Sequence, residues 1–363
     1  METRRIVISG GGTGGHLYPA LVLAAALREI DPDLQIVHVG SKREAERRIM
    51  AAQGVRFVAL PIEGLAGGGW KALAGLVRLP AAFLKSYRLL RRLKPGLVVG
   101  VGSFSSGPIV WLASRMGLPT LIMEQNVRPG LTNRRLAARA DKAVVAFEET
   151  LASFPNNGVL LGNPVRPEFA ALPRKARTDR LSILVFGGSQ GSRVLNRAVA
   201  NALPLLTHLS DRLEIAHQTG PAGLNETRRA YAENRFERAV VEPYFDDMPA
   251  RFGRADLVIA RAGATTCAEL IASRRASLLV PFAGAAEGHQ SANAEALRAA
   301  GGAEVIEESE LTPLRLAECI RRFLSHPQAQ RAMEDRLAPL ARPDAARRIA
   351  DLCLALMAGE PKE

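Results

Sequence analysis

The chain has 363 residues, 47% of them hydrophobic, and a formal net charge of +12. That length exceeds a typical single core and suits two domains, and the composition excludes a disordered chain. The longest apolar runs, such as Leu278-Leu279-Val280-Pro281-Phe282, are far too short to span a bilayer.

In chain order, Ile6–Ser9 reads as a strand, then a helix from about Pro19 to Ile30, a strand at Gln35–Val39, a helix at Lys42–Gln53 and a strand at Arg56–Leu60. A helical pattern over Trp70–Leu93 precedes the strand Leu97–Gly100. A helix near Pro108–Met116 and strands at Thr120–Met123 and Lys142–Ala146 complete the first half. Gly162-Asn163-Pro164-Val165-Arg166-Pro167 has turn formers and no periodicity, which predicts a boundary between domains at 1–163 and 164–343. The second half restarts the alternation with strands at Ser182–Phe186, Glu214–His217, Ala239–Val241, Leu257–Ala260, Ser277–Val280 and Ala303–Ile306. Helices are expected at Ser192–Leu206, Leu224–Asn234, Thr265–Ser273, Ser291–Ala300, Pro313–Leu324 and Pro327–Leu337. A last helix, about 344–358, follows the break at Arg342-Pro343 and could pack back on the first domain. Such alternation predicts an α/β chain of two Rossmann-like, doubly wound parallel sheets. Ligands of such sheets bind at the carboxyl ends of the strands, so a cleft between the domains is the expected site.

Two of these strands end in glycine clusters: Gly10-Gly11-Gly12-Thr13-Gly14-Gly15-His16, and Gly187-Gly188-Ser189-Gln190-Gly191-Ser192. A strand–loop–helix junction of this kind offers backbone N–H groups and a helix N-terminus to a phosphate. The first cluster also satisfies G-x-G-x-x-G, so a dinucleotide must be weighed. No carboxylate follows the second strand, which ends in Gly40-Ser41-Lys42-Arg43; only a 2′-phosphate of NADP suits those cations. His16 could serve as a general base, as a donor to phosphate, or simply as a cap. Asp31-Pro32-Asp33 spells the Asp-x-Asp metal pattern but falls between a helix and a strand, at the far edge from the strand ends, and reads as a turn.

Between Glu63 and Glu124 there is no acidic residue, while Lys71, Arg78, Lys85, Arg88, Arg91, Arg92 and Lys94 crowd the first part of that interval. The basic amphipathic stretch from Trp70 to Lys94 suits an anionic membrane surface, or equally a core-packing helix with a solvated basic face. No nucleic-acid motif accompanies the charge. Cys267, Cys319 and Cys353 have no metal-ligand spacing and read as reduced thiols. Together with a first segment unlike a signal peptide, they suggest the cytoplasm.

The second half holds a denser constellation. Asp246-Asp247 precedes a helix, and a strand delivers Arg261-Ala262-Gly263 into a helix beginning Ala264-Thr265-Thr266-Cys267-Ala268-Glu269. N–H groups at that helix start can stabilise a departing diphosphate, and Glu269, one turn in, can chelate two ribose hydroxyls. Gln290 and Asn293, three apart, can read sugar hydroxyls from one helix face.

The ordered set of motifs resembles the MurG family, the UDP-N-acetylglucosamine transferases of peptidoglycan synthesis, with the GT-B fold. It comprises the loop at Gly11–His16, Ser105-Ser106-Gly107-Pro108, Glu124-Gln125-Asn126, Gly162-Asn163-Pro164-Val165-Arg166, Gly187–Gly191, Asp246-Asp247-Met248, Arg261-Ala262-Gly263-Ala264, Glu269, and His289-Gln290 with Asn293-Ala294. Departures are Ala262, where serine is frequent, and Ser103-Phe104, where Gly-Tyr is usual. The resemblance implies an inverting transfer from UDP-GlcNAc to the lipid I acceptor at the cytoplasmic face of the membrane, without a metal or other cofactor. It implies a second-domain donor site with Phe245 on uracil and Glu269 on ribose. Arg166, Ser189 and the N–H groups of Ala264 to Thr266 would face the diphosphate, with Cys267 and Ala268 also in the substrate site, and Gln290 and Asn293 on the GlcNAc. Thr13, Gly14, Gly15 and Asn126 would come from the first domain, with His16 as base and Glu124 second. The rivals are a hydrolysing UDP-GlcNAc 2-epimerase of the same fold and an NADP-dependent oxidoreductase.

Overall fold

A computed structural model describes residues 4–11, 14–43, 46–47, 50–51, 54–61, 70–176 and 178–359. The chain divides into two compact units, Met1–Val165 with Asp344–Glu363, and Arg166–Pro343. Each is built on one parallel sheet, of seven strands in the first and six in the second.

In the first unit the strands are β1 (Arg5–Ser9), β2 (Gln35–Gly40), β3 (Arg56–Ala59), β4 (Leu97–Gly100), β5 (Thr120–Glu124), β6 (Lys142–Val145) and β7 (Gly158–Leu160), in the spatial order β3-β2-β1-β4-β5-β6-β7. The edge strand β7 was not expected from sequence, because three residues between turns carry no periodicity. Helices α1 (Gly14–Ile30), α2 (Trp70–Leu93), α3 (Gly107–Arg115) and α4 (Leu131–Leu136) connect the strands. Much of the helix expected at Lys42–Gln53 lies outside the described residues. Strand side chains alternate between two faces. Ile6, Ile8, Leu97, Val99, Leu121 and Met123 bury against Leu23 and Leu27 of α1, while Val7, Val37, Val39, Val98 and Ile122 bury against Leu90 of α2 and Ile109 and Val110 of α3.

The second unit contains β8 (Leu181–Phe186), β9 (Leu213–Gln218), β10 (Val240–Glu242), β11 (Leu257–Ala260), β12 (Ser277–Leu279) and β13 (Ala303–Val305), in the order β10-β9-β8-β11-β12-β13. Its helices are α5 (Pro167–Ala170), α6 (Arg193–Leu206), α7 (Leu224–Glu233), α8 (Met248–Arg254), α9 (Ala264–Ser273), α10 (His289–Ala299), α11 (Pro313–Ser325) and α12 (Pro327–Leu337). One sheet face packs Ile183, Val185 and Ile259 against Leu195 and Val199 of α6 and Leu316 and Phe323 of α11. Near the other, Phe252 meets Phe169 edge-on at 5.0 Å and Phe186 at 5.8 Å.

Strand order reverses between β1 and β4 in one sheet and between β8 and β11 in the other. Chains leaving neighbouring strands there turn to opposite faces and open a crevice. Both glycine clusters begin at these points. Asp31-Pro32-Asp33 is indeed a turn, closed by Asp33 N–H donating to Asp31 Oδ1 at 3.1 Å and tied to Arg4 at 2.6 Å.

The final helix, α13 (Ala345–Ala358), belongs to the first unit. Ile349, Ala350, Cys353 and Leu356, on one face of the helix, enter the same apolar cluster as Ile6 and Leu27. Ile349 is 0% exposed. Ile349→Ala is therefore expected to cost about 2–4 kcal/mol through lost burial and a residual cavity. Urea titration of the wild type and variant measures it; a change below about 0.5 kcal/mol, as for a surface site, would place the helix outside the core.

Candidate functional site

In the first unit, β1 runs into Gly10 and Gly11, and α1 starts at Gly14. Gly12 and Thr13 lie outside the described residues; of the site residues expected in this loop, Gly14, Gly15 and His16 are placed, all in the first turn of α1. His38 anchors the loop by donating from Nε2 to Gly10 O at 2.8 Å. Burial depresses its pKa to about 4, so the ring stays neutral. Ser103, in left-handed conformation at φ 66°, accepts from Gly11 N–H and contacts Ser105 Oγ at 2.7 Å.

His16 sits against this scaffold. Its ring lies so close to Gly102 that a β-carbon there would be 2.9 Å from Cε1. Its Nδ1 is 3.2 Å from Gln125 Oε1, while Gln125 Nε2 donates to Val101 O at 3.2 Å. The Val101 carbonyl fixes which end of the Gln125 amide is the oxygen. Nδ1 must then carry the proton, and the lone pair falls on Nε2. In that tautomer Nε2 is the nitrogen able to accept a proton.

Glu124, at the end of β5, is only 3% exposed. Oε1 accepts from the backbone and side chain of Asn126, and Oε2 from Gly130 N–H and Asn133 Nδ2, all within 3.1 Å. Four donors on one carboxylate make it the organiser of the 126–133 loop. Asn126, half-buried, is held by two of them.

In the second unit the loop after β8 is a tight turn. Gly191 N–H donates to Gly188 O at 3.1 Å, and Gly188 and Gly191 have φ of 89° and 73°. A β-carbon on Gly191 would lie 1.9 Å from Thr219 O. Ser189 and Gln190 remain exposed at the tip. Ser192 caps α6 by accepting from Leu195 N–H. At the end of β9, Gln218 spans two loops, its Nε2 donating to Gly188 O at 3.0 Å and its Oε1 accepting from Phe245 N–H at 2.8 Å. The Phe245 ring is buried under the Arg251 guanidinium, 4.3 Å from its centroid. Of the Phe245 backbone groups, the N–H is thus committed, and its carbonyl accepts from no other described residue.

Helix α9 follows β11 through Gly263, its extended N-cap. Cys267 N–H makes the first intrahelical bond, to Gly263 O at 2.9 Å. The N–H groups of Ala264, Thr265 and Thr266 precede that bond and point along the helix axis, where the dipole favours an anion. Cys267, expected in the substrate site, has its N–H bonded within the helix and its thiol 0% exposed, with its pKa raised to about 12 by burial. Ala268 lies one residue further inside the ladder. Glu269 faces Arg166, 3.8 Å away. Burial raises the Glu269 pKa to about 7, partly offset by the Arg166 charge. Arg166 stands before α5, its guanidinium over the Phe169 ring at 4.9 Å.

Two polar residues here are committed to the protein itself. Asn293, expected on the GlcNAc, is 0% exposed and donates to Ala262 O at 3.2 Å, pinning α10 to the end of β11. Arg261 is also enclosed. It donates to Ser192 Oγ, Val280 O and Pro281 O and pairs with Glu308 at 2.6 Å, so its charge is spent holding strand ends together. Gln290 is half-buried, with Oε1 accepting from Phe282 N–H at 3.0 Å. Sequence reading gave no role to Gln125, Ser192 or Gln218. The only hint for Gln218 was a polar residue ending a strand before Thr219-Gly220-Pro221. Among the described residues, no three His, Cys, Asp or Glu side chains gather as a metal site.

Away from these loops, α2 runs unbroken through Pro80. The side chains of Trp70, Lys71 and Arg78 lie outside the described ones. Ala82, Ser86, Leu90 and Leu93 are buried, while Leu79, Leu84 and Tyr87 stand exposed among Lys85, Arg88, Arg91 and Arg92. Phe83 meets Trp111 edge-on at 5.5 Å, and Arg115 and Arg139 flank that indole. No described helix is long and apolar enough to cross a membrane.

Comparison with known proteins covers both units. The glycosyltransferase family 28 N-terminal domain matches residues 6–145, and the family 28 C-terminal domain matches residues 182–349. A UDP-N-acetylglucosamine–N-acetylmuramyl-(pentapeptide) pyrophosphoryl-undecaprenol N-acetylglucosamine transferase of Myxococcus xanthus is 44% identical over 97% of this chain and 93% of its own. A protein of the same name from Syntrophus aciditrophicus is 40% identical, covering 98% and 99%. The crystal structure of Acinetobacter baumannii MurG superposes with a TM-score of 0.79 at 29% identity, over 96% of this chain and 99% of that one. A UDP-N-acetylglucosamine 2-epimerase from Listeria monocytogenes shares the fold at a TM-score of 0.70, but at only 15% identity.

The Glu269 environment sets a pH dependence. Its carboxyl rises from an ordinary 4.5 to about 7, so folding disfavours the charged form. Its stability contribution is complete below the unfolded value and lost as pH rises through about 7. Glu269→Gln should therefore raise Tm relative to wild type at about pH 8, with the difference closing towards about pH 5. Thermal melts across that range check it; a pH-independent difference would remove the burial assignment.

Proposed function

The chain belongs to glycosyltransferase family 28, and from that premise we propose how its residues carry out the reaction its relatives are named for. It is a hexosyltransferase that moves N-acetylglucosamine from UDP-N-acetylglucosamine to the C4 hydroxyl of the N-acetylmuramyl sugar in undecaprenyl-pyrophosphoryl-MurNAc-pentapeptide (lipid I). The product is lipid II, a peptidoglycan precursor, formed with inversion at the anomeric carbon. The observation that carries this reading is the end-to-end correspondence with transferases of that name. Likeness to the epimerases stops at the fold, and the family match over both halves favours the transferase over an NADP oxidoreductase.

In our reading the second unit holds the donor. Glu269 takes the ribose hydroxyls, the Phe245 carbonyl accepts from uracil N3–H, and Gln290 reads the GlcNAc. Arg166, Ser189 and the N–H groups of Ala264 to Thr266 receive the diphosphate. The first unit supplies the acceptor side, with Thr13, Gly14, Gly15 and Asn126 near the sugar. His16 Nε2 removes the acceptor hydroxyl proton as the oxygen attacks the anomeric carbon. The bond from that carbon to the diphosphate oxygen breaks, and UDP leaves with the electron pair. Preoriented N–H groups and Arg166 stabilise the charge that develops there, the task a divalent cation performs in other transferases. Glu124 acts behind His16, by holding the Asn126 loop.

The acceptor's lipid places the reaction at an interface. The exposed Leu79, Leu84 and Tyr87 among basic side chains on α2 fit an anionic surface, as peripheral attachment to the cytoplasmic face of the membrane requires.

Label transfer from UDP-GlcNAc to a short-chain lipid I analogue tests the function. Product is expected, at a rate unchanged by chelator; an absolute requirement for metal would overturn the assignment of Arg166 and the α9 start. His16→Ala should lower kcat by about 10²–10⁴ with little change in donor KM; a loss under about tenfold would demote it to positioning. Charge reversal at Lys85, Arg88 and Arg92 should weaken sedimentation with anionic vesicles and leave UDP affinity intact. Unaltered sedimentation would return α2 to a packing role alone.

A further inference from the structure

Gln218 occupies the last register position of β9, paired with Phe186 of β8 on one side and Glu242 of β10 on the other. Its side chain is 1% exposed and lies where three parallel strands end. One amide end is donor and the other acceptor, and each has a single complementary partner here: Gly188 O for Nε2 and Phe245 N–H for Oε1. Gly188 O also closes the glycine turn by accepting from Gly191 N–H. The amide therefore ties the glycine turn to the segment carrying Phe245, and neither can shift without leaving a buried polar group unpaired.

We propose that Gln218 is a positioning residue that couples nucleobase recognition to diphosphate binding and sets the preference for uracil over cytosine. The inference rests on the donor site read above. By occupying the Phe245 N–H, Gln218 leaves that peptide only its acceptor carbonyl to offer a base. Uracil presents N3–H, a donor, to such a carbonyl. Cytosine presents an unprotonated N3, whose lone pair faces the carbonyl oxygen and repels it. Releasing the N–H lets the segment turn either group to the base, so discrimination falls. Losing the tether also leaves the glycine turn unheld where the diphosphate docks, so donor binding weakens more than the chemical step.

Two variants test this. Gln218→Leu removes both hydrogen bonds; donor KM is expected to rise about tenfold or more, with kcat within about threefold. The ratio of CDP to UDP inhibition constants should shrink in the same variant. Gln218→Glu keeps an acceptor for Phe245 N–H but, when ionised, sets a carboxylate against Gly188 O. Its donor KM relative to wild type at the same pH should improve as pH falls, because the protonated acid donates as the amide did. Far-UV dichroism establishes that each variant is folded. Unchanged donor KM and CDP/UDP ratio in a folded Gln218→Leu protein, or a pH-independent KM ratio for Gln218→Glu, overturns the inference. Failure of the wild type to bind UDP by calorimetry overturns instead the donor-site reading beneath it.

Discussion

The second unit depends on the close approach of two loops, possible only because Gly191 and Gly220 lack a β-carbon. Side chains there would meet Thr219 O at 1.9 Å and Gln190 O at 2.2 Å, and both residues have positive φ. With the loops in contact, β8 and β9 end together, and Gln218 can bridge from Gly188 to Phe245. Asn196 then holds Thr219 O from α6, and is itself met by the buried His217. Burial lowers the His217 pKa to about 3, so this support stays uncharged at any physiological pH. This neutral frame holds the glycine turn in place without setting a charge beside it.

Within that frame, two arginines near the strand ends have opposite fates. Arg261 is enclosed, and its guanidinium is consumed by Ser192, two carbonyls and Glu308. A charge so satisfied stiffens the junction of α6, β11 and β12. Arg166 keeps a partly exposed side chain, stacked on Phe169 and 3.8 Å from Glu269. The desolvation that makes Glu269 reluctant to ionise also strengthens any hydrogen bond its carboxyl makes there.

The first unit follows a parallel logic with different chemistry. A neutral His38 and the Ser103 turn hold the backbone around Gly10 and Gly11, while Gln125, oriented by Val101, fixes the tautomer of His16. Helix α2 meets two demands at once. The stripe Ala82, Ser86, Leu90 and Leu93 packs on the sheet, and the residues between them stay outside, basic and partly apolar. The packing and surface readings of that segment are thus compatible faces of one helix.

The sequence by itself determined the alternating strands and helices, the two glycine turns and the helix start at Gly263–Ala264. These follow from local period, from positive-φ positions that only glycine fills cheaply, and from the ordered motif set. It also singled out Glu269, one turn into that helix, whereas Arg166 drew attention only through the resemblance. Tertiary structure alone decided which polar residues stay accessible and which are walled in. Asn293 and Gln290 look equivalent at three-residue spacing, yet one is sealed against Ala262 and the other is half-buried at Phe282. Glu124 reads as a base until four donors from its own loop are counted. Gln125 and Gln218 carry no local signature, because their work is to bridge strand ends that become neighbours only when the sheets assemble. Hydrogen bonds between residues about thirty positions apart in sequence, such as Gln218 to Gly188, are fixed by strand order, and strand order is a property of the folded sheet.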